Sequence, residues 1–114
     1  ERFSMNESET IEEEVYHFGE TTFCYNNNEL RTRSSRVLIT SRQADILRLL
    51  AKNIGNVVSK EMIQKAVWGA VSYANSLAVN VQMTYLRHAL QHDATVKIES
   101  LKKKGYVLSV ISPE

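Results

Sequence analysis

Cysteine is nearly missing from this sequence. Cys24 stands alone, so no internal disulfide is available, and no Cys-x-x-Cys or His/Cys cluster offers a zinc site. A lone thiol fits a reducing, cytoplasmic setting and reads as a small buried hydrophobe. Proline occurs once and glycine four times, too few for a linker-like or fibrous chain. Long apolar runs are lacking as well, and nothing approaches the ~18 residues that a membrane-spanning helix needs. The N-terminus is acidic rather than basic and then apolar, so we expect no secretory signal. No phosphate loop of the form GxxxxGK[ST], no HExxH and no GxSxG is present. His17, His88 and His92 are scattered. The pair His88 and His92 has only Asp93 nearby as a further ligand, so we expect no metal, no cofactor and no enzyme. Glu12, Glu13 and Glu14 read as a solvated acidic run and not as a catalytic pair.

What is present is one domain's worth of chain: 114 residues, 43% hydrophobic and 24% charged. It opens at Glu1 without an initiator Met, and we read it as a piece of a longer protein. The formal net charge of +1 hides an uneven distribution. Residues 1–29 carry eight acids against Arg2 alone, a balance of −7, whereas residues 30–114 carry thirteen bases against five acids, a balance of +8. A basic body that binds a polyanion and an ordinary solvated surface both remain open on charge alone.

Residues 1–14 lack an apolar period and read as an acidic linker. From 15 to 39, short β-branched and aromatic runs alternate with Gly19-Glu20, Asn26-Asn27-Asn28 and Ser34-Ser35, which predicts a four-stranded antiparallel sheet. Such a sheet must lay one face on something apolar. Thr40-Ser41-Arg42-Gln43 reads as a capping box that opens a helix with the stripe Ile46, Leu47, Leu50, ending near Asn53 with Gly55 beyond. Ser59 caps a second helix in which Met62, Ile63, Ala66 and Val67 keep the 3.6 period, and Gly69 ends it. Residues 69–75 read as a loop, after which Asn75 or Ser76 caps a third helix to about Leu90. The runs VKIESL and YVLSVI form a hairpin across KKKG, with Gly105 supplying the unusual backbone angle. The predicted class is α+β: a winged helix-turn-helix at 15–111 with an N-terminal four-stranded antiparallel sheet, three helices and a C-terminal β-hairpin wing.

On the third helix, Val79, Met83, Leu86 and Leu90 fall within about 60° of one another and predict the core face. The opposite face carries Leu77, Val81, Thr84, Tyr85 and His88, with Asn80 and Arg87 toward one edge. Short apolar and hydrogen-bonding side chains suit the major groove of a duplex. Leu77 and Val81 can touch thymine methyls, and Asn80, Thr84 and Tyr85 can read base edges. Gln82 and Arg87, toward the flanks, are placed for phosphates. The alternative is that Leu77, Val81 and Tyr85 pack under the 69–75 loop. Lys102, Lys103 and Lys104 crowd like charge into the hairpin tip, a cost that a phosphate row would offset.

Taken in order, LITSRQADILRLLAKNIGNVVSKEMIQKAVWG, AVNVQMTYLRHAL and IESLKKKGYVLSV resemble the C-terminal DNA-binding domain of OmpR/PhoB-type bacterial response regulators. VYHFGETTFCYNNNELRTRSSRVLI is similar to that family's N-terminal sheet, so the resemblance covers residues 15–111. It implies a winged helix that binds double-stranded DNA in tandem copies and regulates transcription. The family's helix-borne contacts fall on Leu77, Ala78, Asn80, Val81, Gln82, Thr84, Tyr85 and Arg87, and a phosphate contact falls on Trp68. Lys102 stands where the family's wing usually has an arginine, and the 69–75 segment corresponds to one that meets RNA polymerase in some members. The resemblance also implies an upstream receiver domain of a phosphorelay, for which these residues leave no room. Arg87 is the only arginine on the recognition helix, and Leu77, Gln82 and Thr84 stand where basic residues are common, which shifts phosphate work toward the wing, Lys60 and Lys65. A similar winged helix occurs in membrane-anchored, receiver-less regulators of the ToxR type. A winged-helix protein-interaction module without DNA binding is the other class left open.

Overall fold

Strand β1 (Val15–Phe18) turns at Gly19 into β2 (Thr21–Cys24), and a single 3-10 turn leads to β3 (Glu29–Arg31) and then β4 (Arg36–Leu38). The computed structural model describes residues 13–111. The four strands pair antiparallel in sequence order, with Phe23 opposite both Tyr16 and Leu30. Asn28 takes the left-handed conformation, φ 52°, in the β2–β3 connection, the role its side chain tolerates best. Apart from Glu13 and Glu14, the acidic linker expected at 1–14 lies outside the described residues. Glu14 is tied to the domain: its carbonyl accepts from Tyr25 N at 3.0 Å, and its carboxylate takes Tyr16 Oη and Arg48 Nε, the latter at 2.6 Å.

Helix α1 (Ser41–Lys52) starts with the expected reciprocal cap. Thr40 Oγ1 accepts from Gln43 N, and Gln43 Oε1 accepts from Thr40 N. Its buried side, Ala44, Ile46, Leu47 and Leu50, meets Phe18, Phe23 and Leu30 of the sheet in one core. Helix α2 (Lys60–Trp68) is capped by Ser59 and stops at Gly69. Only half of its expected stripe points inward: Ile63 is buried and Val67 half-buried, whereas Met62 and Ala66 are exposed. The position beside Ile63 is taken by Gln64, a buried polar residue whose Oε1 accepts from Ser72 N at 3.0 Å.

That bond corrects the next boundary. Helix α3 spans Tyr73–Ala89 and its N-cap is Ser72, earlier than the cap expected at Asn75 or Ser76. Ser72 Oγ accepts from Asn75 N, while Asn75 Nδ2 turns back to the Ala70 carbonyl at 2.9 Å. The loop between α2 and α3 is therefore residues 69–72, pinned by Gln64 from one side and Asn75 from the other. A polar residue buried in the middle of a nine-residue helix carries no hydrophobic period, so spacing could not locate it.

The terminal hairpin, β5 (Val96–Leu101) and β6 (Gly105–Val110), pairs in register from Val96–Val110 to Leu101–Gly105. An isolated bridge joins Val58 to Tyr106, with N–H···O distances of 2.8 and 2.9 Å in the two directions. Gly105 makes this approach possible. A Cβ there would lie 2.1 Å from the Val58 carbonyl oxygen, and its φ of 140° disfavours any other residue. Lys103 shares the unusual geometry, with φ 64°, so the expected burden on Gly105 is divided between two residues.

Asp93 fastens the sheet to the far end of α3. It is 2% exposed and accepts from Glu20 N, Thr21 Oγ1, Thr95 N and Thr95 Oγ1 at 2.6–3.0 Å. Burial pushes its carboxyl up, but the bonds from Thr95, Thr21 and two backbone amides outweigh burial and hold it below the usual carboxylate range. A carboxylate whose folded value is depressed stabilises fully above its unfolded value of about 3.9, and the contribution fades as pH falls through the folded value. Asp93→Asn is expected to cost about 1–3 kcal/mol at neutral pH. Urea melts of both proteins should show the gap narrowing as pH drops toward about 3; a gap independent of pH would refute the assignment.

Candidate nucleic-acid interface

Helix α3 buries Val79, Met83 and Leu86 completely and Leu90 nearly so, as its period predicts. A helix held along one stripe must turn the opposite stripe outward. Leu77, Val81 and Tyr85 are accordingly 47%, 49% and 56% exposed, with Thr84, Arg87 and His88 exposed beside them. The 69–72 loop does not cover them, so the alternative of packing beneath it is excluded. Ala78 is half-buried on the shoulder of this face.

The two flanks of α3 are tied to different elements. On one flank, Gln82 Oε1 accepts from Gln43 Nε2 of α1 at 3.1 Å. On the other, Arg87 Nε donates to the Ile98 carbonyl of β5 at 3.0 Å, and its guanidinium lies 5.9 Å from the Tyr106 ring centre. Tyr106 Oη donates to Asn80 Oδ1 at 2.9 Å. Burial pushes the Tyr106 phenol up, against a smaller opposing pull from the Arg87 charge, so it keeps its proton at neutral pH. Thr84 Oγ1 donates back to the Asn80 carbonyl at 3.2 Å. Arg87 and Gln82 thus hold neighbouring elements as well as standing at the edges of the open face.

Lys102, Lys103 and Lys104 form the exposed turn of the hairpin. Between that turn and α3 lies a groove of about 270 Å³ lined by Lys60, Asn80, the three turn lysines and Tyr106, among others. Lys60 therefore joins the wing charge. Lys65 does not; it lies on the outer side of α2 with Met62 and Ala66. Trp68 is half-buried, and the Arg42 guanidinium stacks 4.7 Å above its ring. Sequence reasoning missed Arg42, because its partner is 26 positions away and only the α1–α2 crossing joins them. Tyr106 was visible inside KKKGY, but nothing in the sequence announced its bond to Asn80. Among the described residues no group of three or more His, Cys, Asp or Glu could hold a metal, and no helix is long and apolar enough to cross a membrane.

An exposed, mixed-polarity helix face beside a lysine-tipped hairpin, on a three-helix core with an N-terminal sheet, defines a winged-helix nucleic-acid-binding domain. Residues 34–108 match the family model described as "Transcriptional regulatory protein, C terminal". Among curated proteins, the chain is 27% identical over 103 residues to the transcriptional regulatory protein RprY of Bacteroides fragilis, covering 90% of this chain and 44% of that protein. It is 32% identical over 81 residues to the response regulator ArlR of Staphylococcus aureus, covering 70% of this chain and 37% of that one. The chain thus spans less than half the length of these relatives. Among solved structures, the DNA-binding domain of CpxR from E. coli superposes with a TM-score of 0.75 at 20% identity, over 87% of this chain and 99% of that one. The DNA-binding domain of E. coli CadC gives 0.73 at 23% identity, over 90% and 96%. The chain belongs to the transcriptional regulatory protein C-terminal family, the winged-helix DNA-binding domains of the OmpR/PhoB type. That family binds DNA to regulate transcription and is not a family of enzymes.

The double attachment of Arg87 has a measurable consequence. Arg87→Ala is expected to cost about 1 kcal/mol, since a partly exposed charged donor is lost from the hairpin base. Amide exchange should quicken across β5 and β6 and stay unchanged in β1 to β4. Uniform protection in the variant would show that Arg87 does not hold the wing.

Proposed function

We propose that this chain is the effector domain of a two-component response regulator and that α3 enters the major groove of double-stranded DNA. The observation that carries the reading is the open α3 face, half-exposed at Leu77, Val81 and Tyr85, standing beside the lysine-tipped wing. Leu77, Ala78, Asn80, Val81, Thr84 and Tyr85 read bases. Trp68, Gln82 and Arg87 position the phosphate backbone, and Lys102, Lys103 and Lys104 of the wing add charge at the adjoining groove. Lys60, at the start of α2, extends that charged edge, and Arg42 on the Trp68 ring adds a cation that phosphates would meet.

The remaining assignments rest on family likeness: a cytoplasmic location, a receiver domain upstream, self-association on tandem half-sites and contact with RNA polymerase. The relatives named as response regulators favour a receiver over the membrane anchor of a ToxR-type protein. For polymerase contact, the supporting feature is apolar exposure around the 69–72 loop, where Val71 is half-exposed and Tyr73 81% exposed. Tyr73→Ala is expected to lower activated transcription in a reconstituted assay while leaving duplex affinity unchanged. A fall in both together would assign Tyr73 to DNA instead.

The central test is duplex binding across a salt series. A winged helix that neutralises about four to six phosphates gives a log–log slope near −4 to −5, whereas a protein-interaction module gives a slope near zero. Lys102→Ala is expected to weaken binding on all sequences alike and to flatten the slope by about one. Tyr85→Ala is expected to change which sequences a randomised pool enriches, at about 1–3 kcal/mol for the affected position. An unchanged sequence preference would remove Tyr85 from the reading face.

A further inference from the structure

Asparagine on a recognition helix is ordinarily suited to adenine, because its amide offers an acceptor and a donor side by side and adenine presents the complementary N6 donor and N7 acceptor in the major groove. That match requires both amide atoms to face the base edge together. Here Asn80 Oδ1 already accepts from Tyr106 Oη at 2.9 Å. The orientation of the amide follows from what surrounds the phenol. Arg87, whose guanidinium lies 5.9 Å from the ring centre, is a cation that can accept nothing and has its Nε directed at the Ile98 carbonyl. The phenolic proton needs an acceptor, and the Asn80 oxygen is the one its hydrogen bond reaches. Tyr106 is also held in place. It is 7% exposed, and its backbone is bonded in both directions to Val58 across the bridge that Gly105 permits. A hydroxyl fixed on a strand presents a rigid donor to a side chain on a rigid helix.

We propose that Tyr106 is a positioning residue for sequence recognition: by holding Asn80 Oδ1 toward the wing it turns the Nδ2 donors toward DNA, so that Asn80 selects a base presenting acceptors, guanine or thymine, over adenine. Guanine offers O6 and N7 and thymine offers O4, all acceptors, whereas adenine sets its N6 donor against an amide that presents only hydrogens on that side. The wing thereby contributes to specificity without touching the base. The inference rests on the reading of α3 as the base-reading helix.

Tyr106→Phe keeps the ring, the bridge to Val58 and the stack with Arg87, and removes only the hydroxyl. The test compares wild type, Tyr106→Phe, Asn80→Ala and the double variant by selection from a randomised duplex pool, with affinities for the winning sites measured by titration. Wild type is expected to enrich guanine or thymine at one position that Asn80→Ala flattens. Tyr106→Phe is expected to shift that position toward adenine by roughly 5- to 10-fold, the lower end of what one lost or gained base contact is worth. In the Asn80→Ala background the same change is expected to do nothing, which separates positioning from a general loosening of the wing. The proposal is overturned if wild type already prefers adenine there, or if Tyr106→Phe leaves the preferred base unchanged while Asn80→Ala flattens it. If Asn80→Ala alters no position, the base-reading role of Asn80 fails and this proposal fails with it. Altered positions in Val81→Ala or Tyr85→Ala would then show that the reading of α3 itself stands.

Discussion

Burial of Val79, Met83 and Leu86 in the core shared with α1 and α2 is the constraint from which the rest of the interface follows. Those three side chains fix the rotation of α3 about its own axis. A rod locked along one stripe has no freedom in what it shows on the other, and the shown stripe is Leu77, Val81, Thr84 and Tyr85. Removing a fully buried Leu or Met from such a stripe costs about 2–5 kcal/mol, far more than any single exposed contact returns. The exposed face of α3 is thus defined by the core behind it.

A second constraint sets where the wing stands relative to that surface. Among the bonds that join the hairpin to the helical part are the Val58–Tyr106 bridge from the α1–α2 connection, Arg87 to the Ile98 carbonyl, and Tyr106 to Asn80. The first is backbone to backbone and needs a residue without a Cβ at Gly105. The other two run from the edge of α3 itself. Helix and wing are consequently one rigid unit, and the spacing between the exposed face of α3 and the adjoining charged turn is built into the fold. The three lysines of the turn repel one another, and the structure answers by leaving all of them in solvent, with Lys60 across the groove.

The N-terminal sheet acts at the opposite end. Its apolar face, Phe18, Phe23 and Leu30, closes the core over α1. Its polar attachments are ionic or charge-assisted: Asp93 with four donors, Glu29 with Arg31 and Arg36, and Glu14 with Arg48. Arg36 bonding, ahead of the contrary effect of burial, keeps the Glu29 carboxyl below its ordinary range, so both internal carboxylates stay ionised and paired. Much of the acidic charge that made the first 29 residues look detached from the basic body lies beyond the described residues. Of the four acids within them, Glu14 and Glu29 pair with basic partners of the body itself, while Glu13 and Glu20 are exposed.

Local and periodic features were legible in the sequence, because their causes lie within a few residues of one another. The Thr40–Gln43 reciprocal cap, the Ser59 cap, the four short strands and the Val79–Met83–Leu86 stripe all depend on neighbours one helical turn or one strand pair away. The winged-helix class followed from their order. What went astray needed distant partners. The start of α3 moved to Ser72 because Gln64, eight residues earlier, caps the loop from inside the protein; the phase of α2 shifted because that same Gln64 took an inward place that hydrophobicity assigned elsewhere. The stacking of Arg42 on Trp68, the closure of Asp93 on residues 20 and 21, and the bond between Tyr106 and Asn80 join positions 26 to 73 residues apart. Sequence by itself determined the inward and outward stripes of α1 and α3, since period and side-chain chemistry decide those. Only the tertiary structure decided which exposed polar groups are already engaged, since a hydrogen bond between remote side chains exists only once the backbone has brought them within about 3 Å.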